Sequence, residues 1–304
     1  MLKITFLGTG GAIPTPNRNP SAILVNLKGD LMLFDCGEGT QRQMMRAKTG
    51  MKINAIFITH FHGDHTLGIP GLLQTLSFNG RTQPLPIYGP KWTQQFIRLL
   101  VALGFNRLGF EITAHELKPG DTIERENCTV KAIKTDHGTP SLGYLIQEHT
   151  RPGKFNKQEA LRLGVPEGPL FSKLQRGEPV KTPAGVTVQP SQVLGPPRPG
   201  RKVVYTGDTR PTPEILEASQ RADLIIHDST LTSEMQDWAI ETKHSTASEA
   251  AQTALKAGAR RLILTHISSR YSESTQPLLE EGKKIFPTTQ IAEELMEIEI
   301  PYQK

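Results

Sequence analysis

Cysteine is nearly missing from this 304-residue chain, with Cys36 and Cys128 its only thiols. Two are too few for a disulfide framework or a thiolate zinc site, and their scarcity fits a reducing compartment, where both read as core thiols. Long apolar runs are missing as well. No stretch approaches the roughly 20 residues that a membrane-spanning helix needs. The strand-like opening at residues 2–7 is interrupted from Gly8 to Pro16 before the apolar core of a signal peptide could form. These shortages exclude a secreted disulfide scaffold and a helical membrane protein, and the expectation is a cytoplasmic protein with no membrane partner.

A hydrophobic share of 37% and a charged share of 21% are those of a globular chain. The length fits one α/β core, residues 1–304, that carries an insertion. The net charge of +5 is small but unevenly spread. Between Arg151 and Lys202 stand ten Lys or Arg against three Glu, so the rest of the chain is slightly acidic. A run of this sign attracts a polyanion through its phosphates, although a basic run can also be a plain solvated face.

Short apolar stretches at residues 2–7, 22–26, 31–34 and 53–59 end in turn residues and read as strands. Helical patterns cover 40–48, 67–78 and 92–103. Further strands are expected at 129–134, 142–147, 202–206, 224–227 and 261–265, with a helix over 248–257. Interleaving of this kind is an α/β layout. From about 149 to 200 proline, glycine and basic residues accumulate and apolar periodicity fades, except over 158–163. Here the Gly168-Pro169 and Gly195-Pro196-Pro197 steps would stiffen the excursion locally and keep it from joining a sheet.

The run His60-Phe61-His62-Gly63-Asp64-His65 follows the 53–59 strand directly. Three imidazoles and a carboxylate in six residues are donors suited to zinc, and a loop at a strand end lets alternate side chains diverge. The remaining ligands should lie at the ends of later strands, and His137, Asp208 and His266 each follow one. His115, His149 and His227 carry no assigned role and read as surface or strand-end histidines; the 67–78 stripe reads as core.

This order of motifs resembles the metallo-β-lactamase fold over nearly the whole chain, which implies a four-layer αββα sandwich of two mixed sheets. Phe6-Leu7-Gly8-Thr9-Gly10, Phe34-Asp35-Cys36-Gly37-Glu38-Gly39-Thr40-Gln41, Lys243-His244-Ser245-Thr246 and Thr265-His266-Ile267-Ser268-Ser269-Arg270-Tyr271 further resemble the short form of the ribonuclease Z family, whose members process tRNA 3′ ends. The resemblance implies two Zn²⁺ per subunit. His60, His62 and His137 would hold one, Asp64, His65 and His266 the other, with Asp208 bridging and Asp64 positioning the attacking water. It also implies precursor tRNA as substrate, a homodimer, and a flexible arm at 149–200 that grips the tRNA.

On the same basis His244 would donate a proton to the leaving oxygen, with Asp228 orienting it where the family usually has Glu. Arg18 and Asn19 belong to a loop that reads the acceptor end, in which Pro16 stands where the family has lysine. Arg270 would meet RNA near the cut. Lys154, Lys157, Arg162, Gly168, Pro169, Lys173 and Arg176 would meet it on the arm. Two rivals are a zinc phosphodiesterase for small molecules, which has no use for a basic arm, and a tRNA-binding protein whose metals are structural, which needs no open metal position.

Overall fold

The computed structural model describes residues 1–103 and 107–303. Its strands are β1 (Leu2–Gly8), β2 (Ala22–Leu27), β3 (Asp30–Phe34), β4 (Ala55–Phe57), β5 (Leu85–Gly89), β6 (Ile112–Glu116), β7 (Thr122–Glu124), β8 (Cys128–Lys134) and β9 (Leu142–Glu148), then the short β10 (Val180–Lys181) and β11 (Thr187–Val188). β12 (Lys202–Tyr205), β13 (Leu224–Asp228), β14 (Leu262–Thr265), β15 (Thr289–Ile291) and β16 (Glu297–Glu299) follow. One sheet runs β16-β1-β2-β3-β4-β5-β6 and the other β15-β14-β13-β12-β9-β8-β7, and both mix parallel with antiparallel pairs.

The central strands are apolar on both faces because each sheet is covered twice. In β2, Ile23, Val25 and Leu27 point into the layer between the sheets, and Leu24 points the other way; Met32 and Phe34 alternate with Leu33 in β3. Val203, Leu224, Ile226 and Ile263 close the inner layer from the second sheet. Phe34 stacks on Phe57 at 5.0 Å between ring centres, and Tyr144 meets both edge-on. Burying each such side chain contributes roughly 1.5–3 kcal/mol.

Helices α1 (Thr40–Arg46), α2 (Gly63–Thr66), α3 (Ile69–Phe78) and α4 (Thr93–Ala102) follow strands of the first sheet, and Met44, Leu72, Leu73, Ile97 and Leu100 cover its outer face. Three more helices, α5 (Lys157–Arg162), α6 (Pro169–Gln175) and α7 (Pro190–Val193), lie in the insertion. α8 (Pro213–Ala218), α9 (Gln236–Glu241), α10 (Ala247–Ala257) and α11 (Gln276–Ile285) follow, and Ile215, the alanines of α10 and Leu278 cover the second sheet. The order helix, sheet, sheet, helix is the expected sandwich.

The differences from the sequence reading are local. The strand expected over 53–59 stops at Phe57, because the amide of Thr59 donates to the carboxylate of Asp35 instead of to a neighbouring strand. The helix expected from Leu67 begins at Ile69, where Pro70 favours a first turn, and Leu67 and Phe78 are exposed rather than core. Strands β5, β6, β7, β15 and β16, the β10–β11 pair inside a segment expected to join no sheet, and helices α2, α6, α7, α8, α9 and α11 were not expected, being short, proline-marked or polar at the surface.

Residues Glu148–Arg201 form a compact unit of their own, separate from Met1–Gln147 with Lys202–Lys304. Its stem is a backbone ladder in which Arg151 exchanges hydrogen bonds with Arg198 at 2.8 and 2.9 Å, Gly195 donates to Lys154 and Asn156 donates to Val193. At its base the Arg201 guanidinium forks onto both oxygens of Glu148. Its head has a small core of Ala160, Val165, Leu174, Val180, Val188 and Val193. β10 and β11 pair only with each other there.

Candidate active site

The ends of β4, β8, β12, β13 and β14 deliver polar side chains to one place. His60, His62, His137 and Asp208 form one group of donors, and Asp64, His65, Asp208 and His266 a second; within each group the donor atoms lie within 4.8 Å of one another. Asp208 belongs to both. His60, His65, Asp208 and His266 are buried, whereas His62 is exposed and Asp64 and His137 are half-buried, so the cluster opens to solvent on one side.

The hydrogen bonds fix which ring nitrogens face inward. His65 Nδ1 lies 2.8 Å from Asp35 Oδ2, and a carboxylate only accepts, so Nδ1 carries the proton and Nε2 points to the cluster. His137 Nδ1 donates likewise to the Lys243 carbonyl at 3.1 Å. The hydroxyl of Thr230 gives its proton to Asp228 at 2.7 Å and therefore accepts from His266 Nδ1 at 2.8 Å. Thr59 gives its proton to Asp35 and accepts from His60 Nδ1 at 3.0 Å. Such partners are what orient metal-binding imidazoles.

The donor set fits a metal. His60 Nε2 and His137 Nε2 stand 3.0 and 3.3 Å from His62 Nδ1, an arrangement of lone pairs facing one another. Burial, then the neighbouring imidazoles, keep His60 neutral, and partial desolvation, then His137, lowers the pKa of the more open His62. His65 Nε2 and Asp208 Oδ1 are buried without a hydrogen-bond partner. Burial opposes charge on Asp208, but His266, His65 and His60 outweigh it and hold the carboxylate ionised. Burial opposes a proton on His65, which Asp208 and Asp35 restore, so a cation there takes that proton's position. A cation held among these donors would give the facing imidazole lone pairs and His65 Nε2 a partner.

Backbone geometry makes room for the cluster. A side chain at Gly11 would come within 2.5 Å of the His266 ring. Gly207, at φ +58°, turns the chain into Asp208 where a side chain would strike Thr59 at 2.7 Å. Asp64 accepts the amide of Ala12 at 2.8 Å and lies 3.2 Å from His266 Nε2; burial raises its pKa, but His266 and His65 outweigh that and keep it ionised.

His244 stands beside the cluster, its ring 5.0 Å from that of His266 and 5.2 Å from that of His137. Its Nδ1 is 3.0 Å from Asp228 Oδ2, so the shorter aspartate makes the direct contact. Asp228 is buried and also accepts from Thr209, Thr230 and Ser245. Burial disfavours a proton on His244, yet Asp228 and Asp208 outweigh it and raise its pKa to about 9. With Nδ1 engaged, Nε2 is left to face a substrate.

Other expected contacts sit differently. Arg18 turns inward, donating to Thr9 at 2.6 Å and to the Ala292 carbonyl at 2.7 Å, so its guanidinium braces the loop rather than extending outward. Asn19 donates to the carbonyl of Glu38. Arg270 is exposed. In the insertion Lys157, Arg162 and Arg176 pair with Glu167, Glu159 and Glu178, while Lys154 and Lys173 are exposed with no ion pair among the described residues. Gly168, at φ +131°, caps α6 and Pro169 begins it.

His115 is exposed and stacks on Tyr88. His227 is the strand-end case: one residue before the end of β13, it is fully buried and donates to the Asp228 carbonyl. Sequence reasoning missed the orienting roles of Asp35, Thr59 and Thr230. Asp35 does carry one signal, its place in the turn after β3.

Two family models match parts of the chain, one described as anti-Pycsar protein Apyc1 over residues 2–151 and one as a beta-lactamase superfamily domain over residues 159–267. The chain is 59% identical to a ribonuclease Z of Methanosarcina acetivorans over 304 residues, covering 100% of this chain and 99% of that protein. It is 57% identical to a ribonuclease Z of Methanosarcina mazei with the same coverage. Among solved structures it resembles human tRNase Z, short form, with a TM-score of 0.72 at 32% identity, covering 98% of this chain and 99% of that one.

Proposed function

The chain belongs to the ribonuclease Z family, and from that premise we propose how its residues cut RNA. The protein is a metal-using tRNA 3′-processing endoribonuclease of the metallo-β-lactamase fold. Its substrate is precursor tRNA, cut near the discriminator base so that the tRNA keeps a 3′ hydroxyl and the trailer a 5′ phosphate.

One observation carries the mechanism: two four-donor groups share Asp208, and beside them His244 is held at 3.0 Å by a buried carboxylate. Imidazole and carboxylate donors without thiolate suit zinc, so His60, His62, His137 and Asp208 would hold one Zn²⁺ and Asp64, His65, Asp208 and His266 a second. When bound, such a pair supplies an activated water and neutralises charge on the phosphoryl oxygens. Asp64, kept ionised, orients the attacking water and receives its proton as the new P–O bond forms. The bond from phosphorus to the 3′ oxygen breaks, its electron pair stays on that oxygen, and His244 Nε2 protonates it. One proton is taken up and one given, and Asp228 stabilises the imidazolium meanwhile.

The Glu148–Arg201 unit, with Lys154 and Lys173 exposed, is the arm that holds the tRNA body through its phosphates. Arg270 meets the RNA near the cut. Arg18 and Asn19 act by shaping the loop that borders the site, since their side chains tie it to Thr9, Ala292 and Glu38. We further propose a cytoplasmic homodimer. No helix of the described residues is long and apolar enough to cross a membrane.

The test is to incubate the zinc-loaded protein with an end-labelled precursor tRNA bearing a 3′ trailer, and to map the cut against a His62→Ala control. A single cut near the discriminator with a 3′ hydroxyl, absent from the control, is expected. Intact RNA beside hydrolysis of a small aryl diester would make the protein a small-molecule phosphodiesterase. Intact RNA bound tightly, with the diester inert, would make it a binding protein.

A further inference from the structure

Arg210 follows the shared carboxylate by two residues and has no part in the donor groups, yet it ties the segment after β8 to the His244 turn and to the start of α10. Its amide donates to the Asp136 carbonyl at 2.9 Å, next to His137. One arm of its guanidinium donates to the main-chain carbonyl of His244, and both arms fork onto Glu249. Arg and Glu are 14% and 17% exposed, enough burial for the pair to stay formed.

Glu249 does not need this partner to start α10. It already closes a capping box with Thr246, accepts that residue's amide at 2.9 Å, and takes the Gln236 amide at 2.7 Å. What Arg210 adds is a grip on the backbone of His244. Residues on either side are tied elsewhere: Lys243 to His137, and the Ser245 hydroxyl to the Thr209 carbonyl at 2.6 Å. Lys243 sits at φ +60°, so the chain reaches His244 through a turn that an ordinary side chain rarely adopts. The His244 amide donates to the Ala239 carbonyl at 2.9 Å, so its carbonyl, held by Arg210, is the second main-chain point that fixes how the imidazole is presented.

We propose that Arg210 is a positioning residue: clamped on Glu249, it holds the backbone of His244 so that the imidazole meets both Asp228 and the leaving oxygen. This rests on His244 acting as the proton donor. A displacement of the order of 1 Å in a reacting group is enough to cost about a hundredfold in rate. The clamp acts at one step only, delivery of a proton to the 3′ oxygen.

The test uses two forms of one precursor tRNA, identical except that a bridging sulfur replaces the 3′ oxygen at the scissile phosphate. A thiolate leaves without a proton, so a defect confined to proton delivery slows the oxygen form and spares the sulfur form. Single-turnover rates at saturating zinc-loaded full-length protein remove RNA affinity from the comparison. Arg210→Gln is expected to slow the oxygen form by about 10- to 100-fold and the sulfur form by less than about threefold. Arg210→Lys, which keeps the charge but cannot fork, should recover part of the loss. Bound zinc and melting temperature of Arg210→Lys should match the parent, and Arg210→Gln should add nothing in a His244→Ala background.

Equal losses on both RNAs would make Arg210 a support of the fold and overturn the proposal, as would full oxygen-form activity in Arg210→Gln while His244→Ala is impaired. A His244→Ala protein that loses equally on both forms would instead remove His244 as the proton donor. That outcome is separable, because it appears with Arg210 intact. If Arg210→Gln does not fold, the oxygen-to-sulfur ratio of Arg210→Lys decides the matter.

Discussion

Around Asp208 most of the polar groups are buried and each has its partners chosen for it, whereas in the Glu148–Arg201 unit most charges are exposed, and Arg162 and Arg176 pair with carboxylates only two or three residues away. His65, for example, is fixed by Asp35, and Asp35 in turn by Thr59 and Tyr205, all of them buried. Arg162 is paired with Glu159, three residues away on the same helix face, a contact of little energetic weight. The contrast separates two uses of charge. A centre that moves protons and orients water needs exact donors at fixed places, while a surface that meets a polyanion needs only sign and density.

The largest effect expected is at the point the two donor groups share. Asp208→Ala should reduce cleavage of every phosphodiester to background and lower the zinc bound per subunit, as read by metal analysis of the purified protein; undiminished metal and turnover would remove it from the centre. Next, His244→Ala should lower kcat on precursor tRNA by about 10²- to 10⁴-fold with little change in KM. Asp228→Asn should fall in the same direction, because the imidazole loses its anionic partner.

Smaller effects belong to the other side of the comparison. Replacing Lys154, Lys173 and Lys181, the last exposed at the end of β10, together with Ala should flatten the salt dependence of tRNA binding by about two in log–log slope, with kcat held. An unchanged slope would place the phosphate contacts elsewhere. Least of all, Leu174→Ala should loosen the inserted unit by roughly 2–5 kcal/mol, seen as faster amide exchange within 157–192, while exchange in the sheets stays as it was.

The metal-donor candidates were legible because imidazole and carboxylate at the spacing of residues 60–65 have few other uses, and because a ligand at a strand end needs only the strand to be recognised. The sheets were legible in their central strands, where burial on both faces leaves runs such as those around Leu24 and Ile263. What stayed hidden depends on contacts between residues far apart in sequence. Asp35 to His65, Thr230 to His266 and Arg210 to His244 join side chains or carbonyls that no local pattern brings together. Arg18 shows the same gap from the other side: its position suggested an outward contact, but Thr9 and Ala292 had already engaged it. In the insertion the composition showed sign and excess of charge, and nothing in it revealed the small core under Leu174.

The most direct test is to replace residues 157 to 192 with a short glycine linker on the intact stem and to measure kcat/KM for precursor tRNA and for bis(p-nitrophenyl) phosphate. If chemistry resides in the donor cluster and RNA grip in the inserted unit, the tRNA value falls by about two to three orders of magnitude and the diester value changes little, because binding energy remote from the reacting bond serves only the large substrate. Equal falls on both substrates, or no fall on tRNA, would contradict that division.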